Sequence, residues 1–181
     1  ECGKYFGTDG FRGEANIELT SNHAYEIGRF LGWYYSSLAE ADRKAKIVIG
    51  KDTRRSSYML EYSIVAGITA SGADAYMLHV VTTPAVSYVT AAEGFDLGVM
   101  ISASHNPYHD NGLKLINGNG EKMEDEVIDL IEAYQEKPAK ATGNNRFDAY
   151  PHINDWYETI KLNYGVDYMT NSGVHFHPIP D

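Results

Sequence analysis

Apolar positions along the chain switch repeatedly between two periods, and the switches predict alternating helices and strands. Ala24, Ile27, Leu31, Tyr34 and Leu38 recur at spacings of three and four. A helix with one buried face is expected there, opening after Thr20 as its N-cap. "AKIVIG" (45–50) is a short β-branched run closed by glycine, the mark of a buried strand. A helix is expected over 57–71, and "ADAYMLHV" (73–80) reads as the next strand. "TTPAVSYVTAAEG" predicts a helix opened by its proline. "FDLGVMISA" (95–103) and "GLKLING" (112–118) read as two further strands. "EDEVIDLIEAYQEK" (124–137) closes the series as a helix with Val127, Leu130, Ile131 and Tyr134 turned inward.

Strands alternating with helices imply an α/β fold, a mostly parallel sheet with helices on both faces. Ligands of such sheets gather beyond the carboxyl ends of the strands, where the loops "GKDTRRSS" and "SASHNP" fall. From Lys137 to Asn145 the composition turns to linker type, and a helix is expected around "INDWYETIKL" within 146–163. The remaining residues carry little regular pattern, and no internal repeat is found.

Composition narrows the function classes. The chain has 181 residues, 43% of them hydrophobic and 22% charged, as in an ordinary globular protein. A net charge of −10 argues against a general nucleic-acid surface, so any anion must meet locally concentrated cations. No apolar run approaches a membrane span. Cys2, the single cysteine, rules out an internal disulfide framework and fits a reducing cytoplasm.

The chemistry concentrates in "MISASHNPYHDNGLK" (100–114). Ser104 is the candidate nucleophile, and a serine hydroxyl needs an activating partner. No G-x-S-x-G elbow surrounds it, which counts against an esterase-type hydrolase. Pro107 restricts Asn106 to extended geometry, an arrangement expected to hold the loop open with its amides toward a ligand. Asn111-Gly112 suits a tight turn that brings Lys114 back toward the serine. A polar strand-end turn with solvated histidines explains the same residues equally well. Two other segments tip the balance. "GTDGFRG" (7–13) pairs Arg12 with glycines that allow close backbone approach, though a flexible arm is the plain alternative. "GKDTRRSS" (50–57) offers Lys51, Arg54 and Arg55 at a strand-to-helix junction, where anions bind well. Its plain alternative is a charged cap with Asp52 paired to Arg54 or Arg55. Cations from three segments at one edge of an acidic protein suit a phosphorylated ligand.

"YFGTDGFRGEAN", "IGKDTRRSS", "VTTPAVSYV" and "ISASHNPYHDNGLKLING" resemble, in order and spacing, the first domain of the α-D-phosphohexomutase superfamily. The form "GTDGFRG" is similar to the branch that acts on glucosamine phosphate. The resemblance covers about residues 3–135. It implies a domain over 1–140 carrying the catalytic serine, and a linker with the start of a truncated or diverged second domain over 141–181.

By this resemblance Ser104 is carried as phosphoserine, donates phosphate to the sugar and recovers it from a 1,6-bisphosphate intermediate. Glucosamine 6-phosphate and glucosamine 1-phosphate are thereby interconverted. Mg²⁺ is the implied cofactor, with Ser104 as phosphoserine its only ligand in this segment, and a sugar 1,6-bisphosphate is the implied activator. Lys114 matches a proton-transfer lysine, His105 a histidine beside the nucleophile, and Arg12 an arginine near the phosphoserine. His109 matches nothing and is expected to be solvated. Lys51, Arg54, Arg55 and Asn106 are the phosphate-binding candidates, read from their own loops.

The family's Asp-Gly-Asp-Gly-Asp metal loop and C-terminal phosphate motif do not occur in the sequence. The chain by itself is therefore expected to be inactive or nearly so in the turnover of glucosamine 6-phosphate. Phosphomannomutase or phosphoglucomutase activity is the alternative within the class, and a non-catalytic sugar-phosphate-binding module the alternative outside it. A phosphorylated hexosamine is the expected partner, with self-association or contact with further domains, and neither nucleic acid nor membrane. His175 and His177 share a face if they lie in a strand, and His152 is a third candidate, but no ligand spacing supports a zinc site. "WYYSS" (33–37) is expected to pack in a core or between domains, and "EKMEDEVIDLIE" to be a solvated acidic face.

Overall fold

The computed structural model describes residues 5–40 and 43–136. Cys2, the linker, the helix expected around "INDWYETIKL" and His152, His175 and His177 lie outside the described residues. Six strands and four helices follow in the order β1 (Phe6–Gly7), β2 (Gly10–Glu14), α1 (Ser21–Leu38), β3 (Lys46–Lys51), α2 (Ser56–Ala70), β4 (Asp74–Val80), α3 (Thr83–Ala92), β5 (Leu97–Ile101), β6 (Asp110–Asn117) and α4 (Asp125–Glu136).

The strands form one sheet in the order β1-β2-β6-β5-β3-β4. Parallel pairing holds for β3 with β4 and for β3 with β5. β6 instead runs antiparallel to β5, and β2 and β1 continue antiparallel beyond it. The α/β class is as expected, but the sheet is mixed and not mostly parallel. The reason is local. No helix separates β5 from β6, so the chain folds straight back through the loop 102–109 and must pair antiparallel.

Alternate residues of the central strands feed two cores, as the period of two requires. Ile47, Ile49, Leu97, Val99, Ile101, Leu113 and Leu115 pack on one face under α1, α2 and α4. Val48, Met100 and Ile116 pack on the other with Val86 and Val89 of α3. Thr20 caps α1 as expected, its Oγ1 accepting from the His23 amide while His23 Nδ1 accepts from the Thr20 amide. Ala24, Ile27 and Leu31 are fully buried, whereas Leu38 in the last turn is 64% exposed. In α4, Val127 and Ile131 point inward but Leu130 faces solvent, and Ile128 takes its place against the core. The acidic face of α4 is not simply solvated either. Glu132 accepts from the amides of Tyr5 and Phe6 and so ties β1 to α4. Tyr34 stacks on Phe30 and the Tyr35 hydroxyl reaches Met123 Sδ, so these two pack as expected, whereas Trp33 is 41% exposed.

Candidate active site

The carboxyl ends of β3 and β5 lie side by side, since Lys51 pairs with Ile101. β6 begins at the same edge, and Glu14 of β2 pairs with its first residue, Asp110. The loop after β3, the serine loop and the end of β2 therefore meet at one end of the sheet, with the β1–β2 turn lying beside Lys114. "GTDGFRG" is thus not a flexible arm. It forms a hairpin turning at Thr8–Asp9 and leaving the turn at Gly10, whose φ of +99° is open only to glycine at little strain.

Arg12 and Lys114 converge on Ser104. Lys114 Nζ lies 2.9 Å from Ser104 Oγ, and Arg12 Nη2 lies 3.3 Å from the same oxygen. Asp9 stands behind the guanidinium at 3.5 Å. Ser104 is exposed, so the hydroxyl faces outward with a cation on either side. Asn111-Gly112 does not make the expected turn. Both residues lie within β6, and the reversal occurs earlier, where the Asp110 amide donates to the Pro107 carbonyl. Lys114 still reaches the serine because β6 runs back beside β5.

The amides of Ser104 and Asn106 are not open to a ligand as expected. Ser104 N–H donates to Ser102 Oγ, Asn106 N–H to the Ala103 carbonyl, and Asn106 Nδ2 to Asp110 Oδ2. Asn106 shapes the loop from inside. His105 and His109 are both exposed, and His109 is solvated as expected.

"GKDTRRSS" takes a different role from the phosphate clamp read in it. Lys51 is 1% exposed, donates to Glu61 Oε1 at 2.8 Å and lies under the Tyr58 ring, so it is closed to any ligand. Arg54 is nearly buried and pairs with Asp52 at 3.0 Å, the plain alternative weighed above. Its guanidinium also donates to the carbonyls of Ser104, Asn106, Pro107 and Asp110. Arg55 alone of the three is exposed. Sequence reasoning missed the partners beneath them. Asp52 accepts from Ser57 Oγ, and Asn111 donates to Ser56 and Ser57, joining the start of α2 to β6. Only Ser102 had a readable signal, the Ser-x-Ser spacing that favours a side chain-to-amide turn.

A cavity of about 710 Å³ opens beside Lys114, lined in part by Thr8, Asp9, Ser87 and Lys122. Among the described residues no three His, Cys, Asp or Glu side chains cluster as metal ligands. The described residues therefore do not form a cradle for Mg²⁺; a phosphorylated Ser104 would offer it oxygens and nothing more. The outward hydroxyl between an arginine and a lysine suits the holding of a phosphoryl group.

A family model described as phosphoglucomutase/phosphomannomutase, alpha/beta/alpha domain I, matches residues 3–142. The chain belongs to this family. It is 72% identical over 132 residues to a phosphoglucosamine mutase of Lachnospira eligens, covering 73% of this chain and 29% of that protein. A phosphoglucosamine mutase of Lachnoclostridium phytofermentans is 70% identical over 132 residues, with the same coverage, 73% and 29%. A solved phosphoglucomutase/phosphomannomutase family protein of Burkholderia thailandensis superposes with a TM-score of 0.61 at 25% identity, over 72% of this chain and 29% of its own. The chain thus spans under a third of the length of these relatives, and domain I of the family is the part it shares. No helix among the described residues is long and apolar enough to cross a membrane.

Proposed function

We propose that this chain is the phosphoserine-bearing domain of a phosphohexomutase that interconverts glucosamine 6-phosphate and glucosamine 1-phosphate in the cytoplasm. The observation that carries the reading is Ser104 Oγ held between Lys114 Nζ and Arg12 Nη2. The phosphoglucosamine mutases at 72% and 70% identity support the choice of sugar.

Phosphoryl transfer draws little covalent chemistry from a protein; it needs positioning and charge. When Ser104 takes a phosphoryl group from a sugar 1,6-bisphosphate, a bond forms from Oγ to phosphorus and the bond from phosphorus to the sugar oxygen breaks. The hydroxyl proton must leave Oγ as this happens. Arg12 stays protonated throughout and can only stabilise charge. Of the two contacts only Lys114 can give up and take back a proton, so the hydroxyl proton passes through it to the sugar oxygen that leaves, and back again when the phosphoryl group returns. Mg²⁺ belongs to this reading as the ion that spreads charge on the transferred group. Its remaining ligands are not among the described residues.

Incubation of the purified chain with glucose 1,6-bisphosphate, followed by intact-mass analysis, tests the reading. One phosphoryl group is expected on Ser104 and none on a Ser104→Ala chain. An unmodified wild-type chain would favour the non-catalytic binding module.

A further inference from the structure

We infer that Arg54 is the positioning residue of the site, acting through the backbone of Ser104 and not through phosphate. The inference rests on the reading of Ser104 as phosphoryl carrier and gives a neighbouring cation its own role in that chemistry.

A guanidinium has five N–H donors in a rigid fork. Every one is used within the protein. Nε donates to Asp52 Oδ2 at 3.0 Å. Nη1 donates to the Pro107 carbonyl at 2.5 Å and the Asp110 carbonyl at 3.1 Å. Nη2 donates to the Ser104 carbonyl at 3.1 Å and the Asn106 carbonyl at 2.9 Å. No donor remains for a ligand, and the side chain is only 10% exposed. Its four backbone acceptors span the whole turn from the nucleophile to the start of β6.

The turn needs such a tie because Ser104 has a φ of +54°, a left-handed conformation that side chain-bearing residues rarely hold. Two bonds grip its backbone: Arg54 on the carbonyl and Ser102 Oγ on the amide. In the left-handed conformation Oγ meets both Arg12 and Lys114. Asp52 fixes the guanidinium, and Ser57 holds Asp52 in turn. The segment that looks like a phosphate clamp is thus the mould of the serine loop. Lysine, a single point donor, cannot reproduce the fork.

An Arg54→Lys chain tests this with two readouts. The first is the one-bond Cα–Hα coupling of Ser104 by NMR, which separates positive from negative φ, read together with amide exchange over 104–110. The wild-type chain is expected to show positive φ and slow exchange; the variant should lose both while the β3 and β5 amides keep their protection. The second is the rate of Ser104 phosphorylation against glucose 1,6-bisphosphate concentration. The maximal rate should fall roughly 100-fold, the scale of a small misplacement of a reacting atom, with half-saturation unchanged. A raised half-saturation with the maximal rate kept would make Arg54 a phosphate ligand and overturn the inference. So would a variant whose Ser104 keeps its positive φ and full rate. Should Arg54→Lys fail to fold, Ser102→Ala removes the other grip and must shift the same two readouts. If the wild-type chain takes no phosphate, the proposed function fails, and the NMR readout still decides what Arg54 does.

Discussion

Single side chains here divide into those that face the ligand and those that hold them. Lys114 and Arg12 touch the same oxygen, yet only lysine can shed a proton. Lys114→Arg keeps the charge and removes the proton carrier. Ser104 phosphorylation by glucose 1,6-bisphosphate is therefore expected to slow by a factor of about 100 or more, followed by intact mass over time. Lys51 shows the other kind. Its ammonium is buried against Glu61, whose second oxygen finds no partner. Lys51→Met strands a buried carboxylate, and urea unfolding should show a loss of about 3–5 kcal/mol. Pairing it with Glu61→Leu should recover much of that loss, because the double variant buries no charge. The same residues mark the limit of sequence reading. Lys51 and Arg54 look as exposed as Arg55 in "GKDTRRSS", and only burial by Tyr58, Glu61 and the serine loop separates them.

Among the elements, α1 carries a pH dependence at its first turn. His23 Nδ1 accepts from the Thr20 amide, so the ring must be unprotonated on that nitrogen. Burial pushes its pKa below 6.5, in agreement with that contact. The unfolded chain then binds more protons than the folded one near and below pH 6.5, and stability rises with pH through this window. The contribution is fully present above the unfolded value and is lost as pH falls through the folded one. His23→Gln keeps an acceptor at the same capping position without titrating. Its unfolding free energy, measured in urea from pH 7.5 to 5, should fall less steeply than the wild type's. Elements were the scale at which periodicity spoke most clearly. Thr20, Pro84 and the β-branched runs placed the four helices and strands β3 to β6 to within a few residues, while β1 and β2 went unread. The direction of β6 was not legible, because an apolar alternation reads the same in either orientation.

Over the whole molecule, two segments far apart in sequence bring two cations to one hydroxyl of a chain carrying a net charge of −10. Arg12 and Lys114 repel each other across an unmodified serine, and a phosphate dianion relieves that repulsion. The phosphorylated chain should accordingly melt higher than the unmodified one, by roughly 2–4 °C for each kcal/mol gained. The difference should shrink with added salt in differential scanning calorimetry, since both cations are partly exposed.

The sequence by itself determined the α/β class, the positions of the main helices and strands, and the serine loop with its arginine and lysine companions. Local signals suffice for these, because period, caps and turn residues act within a few positions of one another. Only the tertiary structure decided that the sheet is mixed, that "GTDGFRG" is an ordered hairpin, and that Lys51 and Arg54 serve the scaffold while Arg12 and Lys114 serve the hydroxyl. The physical reason is that a cation's role depends on which acceptors surround it and on how much water remains, and both are set by residues distant along the chain.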